Sequence, residues 1–399
     1  MLRQIHALPG LIAAVLVAVL AVTGAILSLN PAMERAGATV PKAGEISVAA
    51  LAGAVTANHR DVDRIVKTAS GSVIVYYFNG DRDAADLVDP ETGLTTAPYA
   101  PSGFMRVVTN LHRSLLMGDA GRATAGFGAL AMVVLAISGA MMLAARLGGW
   151  SAILRPVSGT RSQRFHTELG RFAVLGLMLS ALTACYLSLA TFGILPDGAT
   201  VEPSAAIAVN GGARMPVGQL AALKAVDLSN LRELTFPKPG DPNDVYVLTT
   251  GQGIGHVDAA TGALIAFQPH SLSRQVYETI YMLHTGQGLW PLALILGLAA
   301  LCVPALSAFG ALIWWKRRRA LPRILHNVGA QSADTIILVG SEGNSTWGFA
   351  STLHAVLTKA GHRVHTAPMN RLAPSYAHAA RMVILTATCL LYTSDAADE

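Results

Sequence analysis

Four long stretches without a single charged residue dominate this chain: Leu8–Leu29, Ala123–Ala145, Phe172–Leu195 and Leu289–Trp315. Each exceeds the roughly 20 apolar residues needed to cross about 30 Å of hydrocarbon. In lipid the backbone must satisfy its own hydrogen bonds, so runs of this length fold as helices. The composition agrees: of 399 residues, 52% are hydrophobic and only 13% charged, where a water-soluble chain usually carries about a quarter. The first run is too long for a secretory h-region, and "NPAMERAGA" after it is a poor cleavage context, so it reads as a retained span.

The basic residues orient the spans. Arg3 precedes the first; Arg146, Arg155, Arg161, Arg164 and Arg171 cluster between the second and third; "WWKRRRALPR" follows the fourth. Placing these three regions in the cytoplasm satisfies the positive-inside rule with one topology. Both termini are then expected inside and the two long loops outside. The net charge of +5 is thereby assigned to headgroups and topology, and a nucleic-acid partner is not expected. Three cysteines, none in a C-x-x-C pair, give no disulfide framework and no zinc site.

The two outer loops share a pattern. "SVIVYYFNGDRDAADLVDPETGLTTA" (Ser72–Ala97) and "DVYVLTTGQGIGHVDAATGALIAF" (Asp244–Phe267) each give a strand, a Gly-containing turn and a second strand ending in V-D-x-x-T-G. Asp and Gly in that hexad suit a tight turn. Helix-compatible stretches, Ser47–Ala57 and Pro216–Ala225, lie upstream. Each loop is expected to form a small α+β domain. The repeat extends into the spans: a histidine, a span, an outer domain, Leu-His and a second span occur twice, around His6 and His112 and again around His166 and His284.

This double unit, with "NLHRSLLMG", "MLHTGQGLW" and a closing "GALIWWKRRR", resembles the PepSY-associated transmembrane family over roughly residues 1–325. The resemblance implies a bacterial inner-membrane protein connected with iron uptake, and kinship with haem-containing ferric-siderophore reductases. The expected organisation is a first transmembrane helix over 1–30, a PepSY-like periplasmic domain over 31–120 and a second helix over 121–147. A cytoplasmic loop (148–165), a third helix (166–195), a second PepSY-like domain (196–280), a fourth helix (281–316) and a basic linker (317–333) follow. The fold class is a mainly α membrane protein with two small periplasmic α+β domains and a truncated flavodoxin-like α/β module.

Depth assigns the histidines. His6 and His166 lie at the expected cytoplasmic ends of their helices, and His112 and His284 near the outer ends. Two neutral imidazoles at one height on different helices can supply both axial ligands of a b-type haem iron. Two pairs would stack two haems across the bilayer. Border histidines also serve as amphipathic interface residues; repeat register and two residues at each face favour ligation. Of the others, His59, His256 and His270 read as surface residues, His326 as linker, His354 and His378 as helix residues, and His362 and His365 as strand residues.

After the basic cluster, residues 334–388 read strand, loop, helix, strand, then a third strand, "RMVILTAT". A hydroxyl-rich loop between a buried strand and a helix N-terminus is a phosphate cradle. The loop Ser341, Glu342, Gly343, Asn344, Ser345 and Thr346 resembles the first FMN-phosphate loop of flavodoxins of the diflavin reductase type. Gly343 and Asn344 stand where that pattern has Thr-Gly. No G-x-G-x-x-G occurs, which disfavours a dinucleotide fold. The tail "CLLYTSDAADE" (389–399) resembles adapter read-through, so the natural protein is expected to continue and this fragment to be inactive alone. By resemblance, FAD and NADPH belong to a following module or a separate reductase.

The expected function is electron transfer from cytoplasmic FMN through two bis-histidine haems to a periplasmic acceptor, ferric iron or a ferric siderophore. The alternative is a membrane-anchored PepSY protein that binds a peptide or protease and has no redox activity.

Overall fold

A computed structural model describes residues 2–80, 82–203, 212–241, 243–319, 323–341 and 345–386. The chain divides into two compact units, Met1–Ala308 and Phe309–Glu399.

The first unit begins with α1 (Leu2–Leu27), a short α2 (Asn30–Gly37) and α3 (Val48–Asn58), followed by β1 (Val62–Lys67), β2 (Val73–Asn79), β3 (Arg82–Val88) and β4 (Thr95–Pro98). Helices α4 (Gly103–Ser114), α5 (Gly118–Leu147) and α6 (Arg161–Thr191) return the chain to its apolar runs. The second repeat continues with α7 (Ala221–Lys224), β5 (Leu231–Thr235), β6 (Tyr246–Thr250), β7 (Gly253–Val257), β8 (Leu264–Pro269), α8 (Leu272–Thr285) and α9 (Trp290–Arg319). Among the described residues, α1, α5, α6 and α9 are the four helices long and apolar enough to cross a membrane.

Small side chains let these four helices meet. Ala13 and Val17 of α1, Ala173 and Leu177 of α6, and Ala299 and Val303 of α9 form one buried cluster, with Ala131 and Met132 of α5 against it. A Cβ on Gly176 would lie 2.8 Å from that of Ala299, so α6 and α9 approach at the distance that small residues allow in lipid. The outer surface is apolar: Ile12 is 84% exposed and Leu175 82%. Water would penalise that surface, and hydrocarbon does not.

The two polar loops share a single sheet. Its eight strands run β4-β3-β2-β1-β5-β6-β7-β8, all antiparallel, and the repeats join where β1 pairs with β5 (Ile65 opposite Leu234). One core fills it: Leu51 and Val55 of α3, Ile65, Val75, Leu220, Leu223, Leu231, Leu234 and Leu248. The two expected separate domains are thus halves of one sheet. Residues of both halves fill the one core, and β1–β5 pairing removes two exposed edges at once. The first helix-compatible stretch is α3, capped by the Ser47 hydroxyl on the Ala50 N–H. The second, Pro216–Ala225, is broken into a 3₁₀ turn and the single turn α7.

Both V-D-x-x-T-G segments are Asp-initiated turns. Asp89 Oδ1 accepts from the Glu91 and Thr92 N–H groups, and Asp258 Oδ1 from those of Ala260 and Thr261. Gly93 and Gly262 follow at φ +68° and +70°, the left-handed region where glycine is unstrained. A Cβ on Gly262 would also crowd the backbone of Leu220 and Ala221 at 3.0 Å.

The second unit is a three-stranded parallel sheet, ordered β10 (Val364–Pro368), β9 (Thr335–Gly340), β11 (Arg381–Thr386), with α10 (Ser345–Lys359) crossing between β9 and β10. Strand β9 is central and buried on both faces. Ile337 and Val339 pack under α10, and Ile336 and Leu338 against Val328 and Tyr376. Its unbroken Ile/Leu/Val run reflects that two-sided burial. The tail 389–399 lies outside the described residues.

Candidate paired-histidine site

Two helices of each repeat carry the four histidines. His6 sits in the second turn of α1 and His166 in the second turn of α6. Helix α6 is started there by a capping box, with Thr160 and Gln163 satisfying each other's backbone N–H groups. His112 and His284 lie near the C-terminal ends of α4 and α8. Serines cap both of these helices, Ser102 on the Met105 N–H and Ser271 on the Arg274 N–H. Both end in a left-handed residue, Leu115 and Gly286.

The fold brings the histidines together in two pairs. The ring centres of His6 and His166 are 6.2 Å apart with planes at 90°. Those of His112 and His284 are 6.3 Å apart with planes at 37°. Each histidine is partly buried, neither enclosed nor exposed.

Every Nδ1 is held. His6 Nδ1 lies 2.9 Å from Ser138 Oγ of α5, and His166 Nδ1 3.1 Å from the Leu306 carbonyl of α9. His112 Nδ1 is 2.9 Å from the Leu20 carbonyl and 3.0 Å from Thr23 Oγ1. His284 Nδ1 is 3.0 Å from Thr183 Oγ1. A carbonyl can only accept, so His112 and His166 carry the proton on Nδ1. The hydroxyl protons of Ser138, Thr23 and Thr183 go to the Val134, Val19 and Leu179 carbonyls of their own helices. Those oxygens are therefore free to accept from His6, His112 and His284. All four neutral rings then present a bare Nε2 lone pair, the form that ligates a metal.

Glycines give the rings room. A Cβ on Gly24 would meet His112 Cε1 at 3.0 Å, and one on Gly139 would meet His6 Cε1 at 3.2 Å. Ser138, Thr23, Thr183 and these glycines were absent from the sequence reading. A signal was present: Thr23 follows His6 by the same seventeen residues that separate Thr183 from His166.

Of the expected phosphate loop, Glu342, Gly343, Asn344 and the Ser345 side chain lie outside the described residues. Ser341 Oγ accepts from the Thr346 N–H at 3.4 Å, and Thr346 Oγ1 is buried without a partner. Three other expectations are corrected. His59 and His256 are buried rather than on the surface, and His378 lies in a turn rather than a helix. Burial of His59 follows from its partners. Nε2 is 3.0 Å from Thr95 Oγ1, which donates to Asp86 Oδ2 at 2.8 Å, and the Tyr77 hydroxyl donates to the same oxygen at 3.1 Å. The cluster fastens the edge strand β4 to α3.

These features define a multi-pass membrane protein of two repeats, with an imidazole pair toward each end of its helix bundle. The sequence matches the PepSY-associated TM region over residues 3–317. The chain belongs to that family, a membrane family of the iron-regulated kind. No curated protein matches it.

Proposed function

We propose that this chain is a transmembrane electron carrier with two bis-histidine b-type haems, one at His6 and His166 and one at His112 and His284. The residues fit that group. Two imidazoles sharing one metal through Nε2, at about 2 Å each with the nitrogen ~1.2 Å from its ring centre, would hold their ring centres roughly 6.3 Å apart. The pairs stand at 6.2 and 6.3 Å. That agreement in both pairs, with each Nδ1 bonded away, is the observation that carries the reading.

Haem bound there supplies a reversible one-electron carrier inside a medium that otherwise blocks charge. The chain's own residues do the rest. The histidines would hold the two groups at two heights; seventeen residues of α1 from the level of one pair to the other span about 26 Å. Ser138, Thr23, Thr183 and the Leu306 carbonyl hold the rings in the ligating tautomer. The apolar bundle keeps water from the path.

The Arg and Lys flanks support a cytoplasmic location for the His6–His166 end, both termini and the second unit, and a periplasmic location for the eight-stranded sheet, in a bacterial inner membrane. The electron source on this reading is FMN. The strand order β10-β9-β11 is compatible with the 2-1-3 start of a flavodoxin-like sheet and supports this reading. The orphaned Thr346 hydroxyl suits a phosphate at the N-terminus of α10. NADPH and FAD would feed it from a further module or partner, and the acceptor outside would be ferric iron or a ferric siderophore.

The test is an optical spectrum of the detergent-purified full chain after reconstitution with haem. Two b-type haems per chain are expected. A colourless, folded protein would overturn the proposal and leave the peptide-binding anchor as the better reading.

A further inference from the structure

We infer that Thr23 and Thr183 are positioning residues that set the ligand strength of the His112–His284 pair, and hence the reduction potential of that centre. The inference rests on the haem reading above and goes beyond it to residues that touch no iron.

The two threonines occupy the same place in each repeat, seventeen residues after His6 and His166. Both are buried. Each hydroxyl faces the carbonyls three and four residues back, Leu20 and Val19 for Thr23, and Ser180 and Leu179 for Thr183. Such back-bonding consumes the hydroxyl proton. The remaining lone pair points to a histidine on another helix, α4 for Thr23 and α8 for Thr183. The same pair of bonds, made twice in repeat register, is a built feature of this end of the bundle. The other histidine pair has it once and not in repeat register: His6 leans on the back-bonded Ser138 of α5, and His166 on a bare carbonyl of α9.

A hydrogen bond from Nδ1–H to an acceptor pushes electron density toward Nε2 and makes the imidazole a stronger donor. A stronger donor favours ferric over ferrous iron and lowers the potential. Removing the acceptor should therefore raise it. Behind each threonine a backbone carbonyl also serves the ring, Leu20 for His112 and Ser180 for His284, so the two threonines are equivalent positions in the two repeats.

The experiment is a spectroelectrochemical redox titration of the haem-loaded full chain, wild type against T183V, T183S and T23V. His284→Ala identifies which haem belongs to the pair. Valine matches threonine in shape and lacks only the hydroxyl. T183V should raise the potential of the His112–His284 haem by about 59 mV, the equivalent of a tenfold shift in ferric over ferrous affinity. T183S should titrate as wild type, T23V should move in the same direction as T183V, and the His6–His166 haem should not move. If T183V does not retain the haem, T183A is titrated in its place. A wild type with two haems and an unmoved potential in these variants overturns this inference alone. A wild type that binds no haem overturns the reading beneath it as well.

Discussion

His6 and His166 hold their ring centres 6.2 Å apart across the bundle, with planes at 90°, although they begin different repeats. Ala13 and Val17 of α1 and Ala173 and Leu177 of α6 share one buried cluster in the bundle, and the pairing has a chemical consequence. On the haem proposal, replacing either histidine by alanine would remove one of the two residues that hold the group and leave the other pair untouched. Haem content should fall to about half in His6→Ala and in His284→Ala, and to nearly nothing in the double variant. A pyridine haemochrome assay against protein concentration reads this directly.

The pairs differ in ring angle, 90° against 37°. If each pair held a haem as proposed, crossed rings would leave the metal orbitals facing them nearly equal in energy, and more parallel rings would split them. Low-temperature electron paramagnetic resonance of the oxidised protein should resolve two low-spin signals. The strongly anisotropic one should vanish in His6→Ala and the more rhombic one in His284→Ala.

Gly24 is the contact that lets His112 lie against α1. A Cβ there would sit 3.0 Å from Cε1 and 3.5 Å from Nδ1 of the ring. Gly24→Val should displace the imidazole from Thr23 at a cost of about 1–3 kcal/mol. The expected outcome is selective loss of the His112–His284 haem, measured by the same assay, with the other haem retained.

Asp227 ties the two halves of the sheet. Its carboxylate accepts from the Ser229 and Gly44 N–H groups at 2.8 and 2.7 Å. Bonding to Ser229, with smaller contributions from Gly44 and Lys67, holds it below the usual carboxylate range. A lowered folded pKa stabilises the fold fully above the unfolded value of about 3.9, and that stability is lost as pH falls through the folded pKa. Asp227→Asn should therefore be less stable than wild type at neutral pH, and the difference should close in strong acid. Chemical unfolding of the detergent-solubilised chain at several pH values checks it.

Asp86 collects the hydroxyls of Tyr77 and Thr95 beneath His59. Asp86→Ala strands these partners in a mostly buried site, which costs about 1–3 kcal/mol. Thermal unfolding should shift downward, and amide exchange should rise first in β4, whose hold on α3 passes through this cluster. Haem binding should be unchanged.

Much of this architecture was legible because lipid and repetition are strict. Uncharged runs of more than twenty residues have one outcome in hydrocarbon, so the four spanning helices followed from composition alone. Aspartate and glycine in V-D-x-x-T-G bond within six residues, so both turns followed as well. The duplicated order of His6, His112, His166 and His284 named the candidate ligands, because spacing and depth are properties of the chain. The rest depends on contacts between distant segments. Fusion of the two loops through β1 and β5 reflects one core filled by residues of both halves. The burial of His59 comes from partners on β2, β3 and β4. Which imidazoles meet, at what angle, and which nitrogen stays bare were decided only by helix packing. That packing sets Ser138, Thr23, Thr183 and the Leu306 carbonyl against rings on other helices, and no local pattern of residues encodes such a distance.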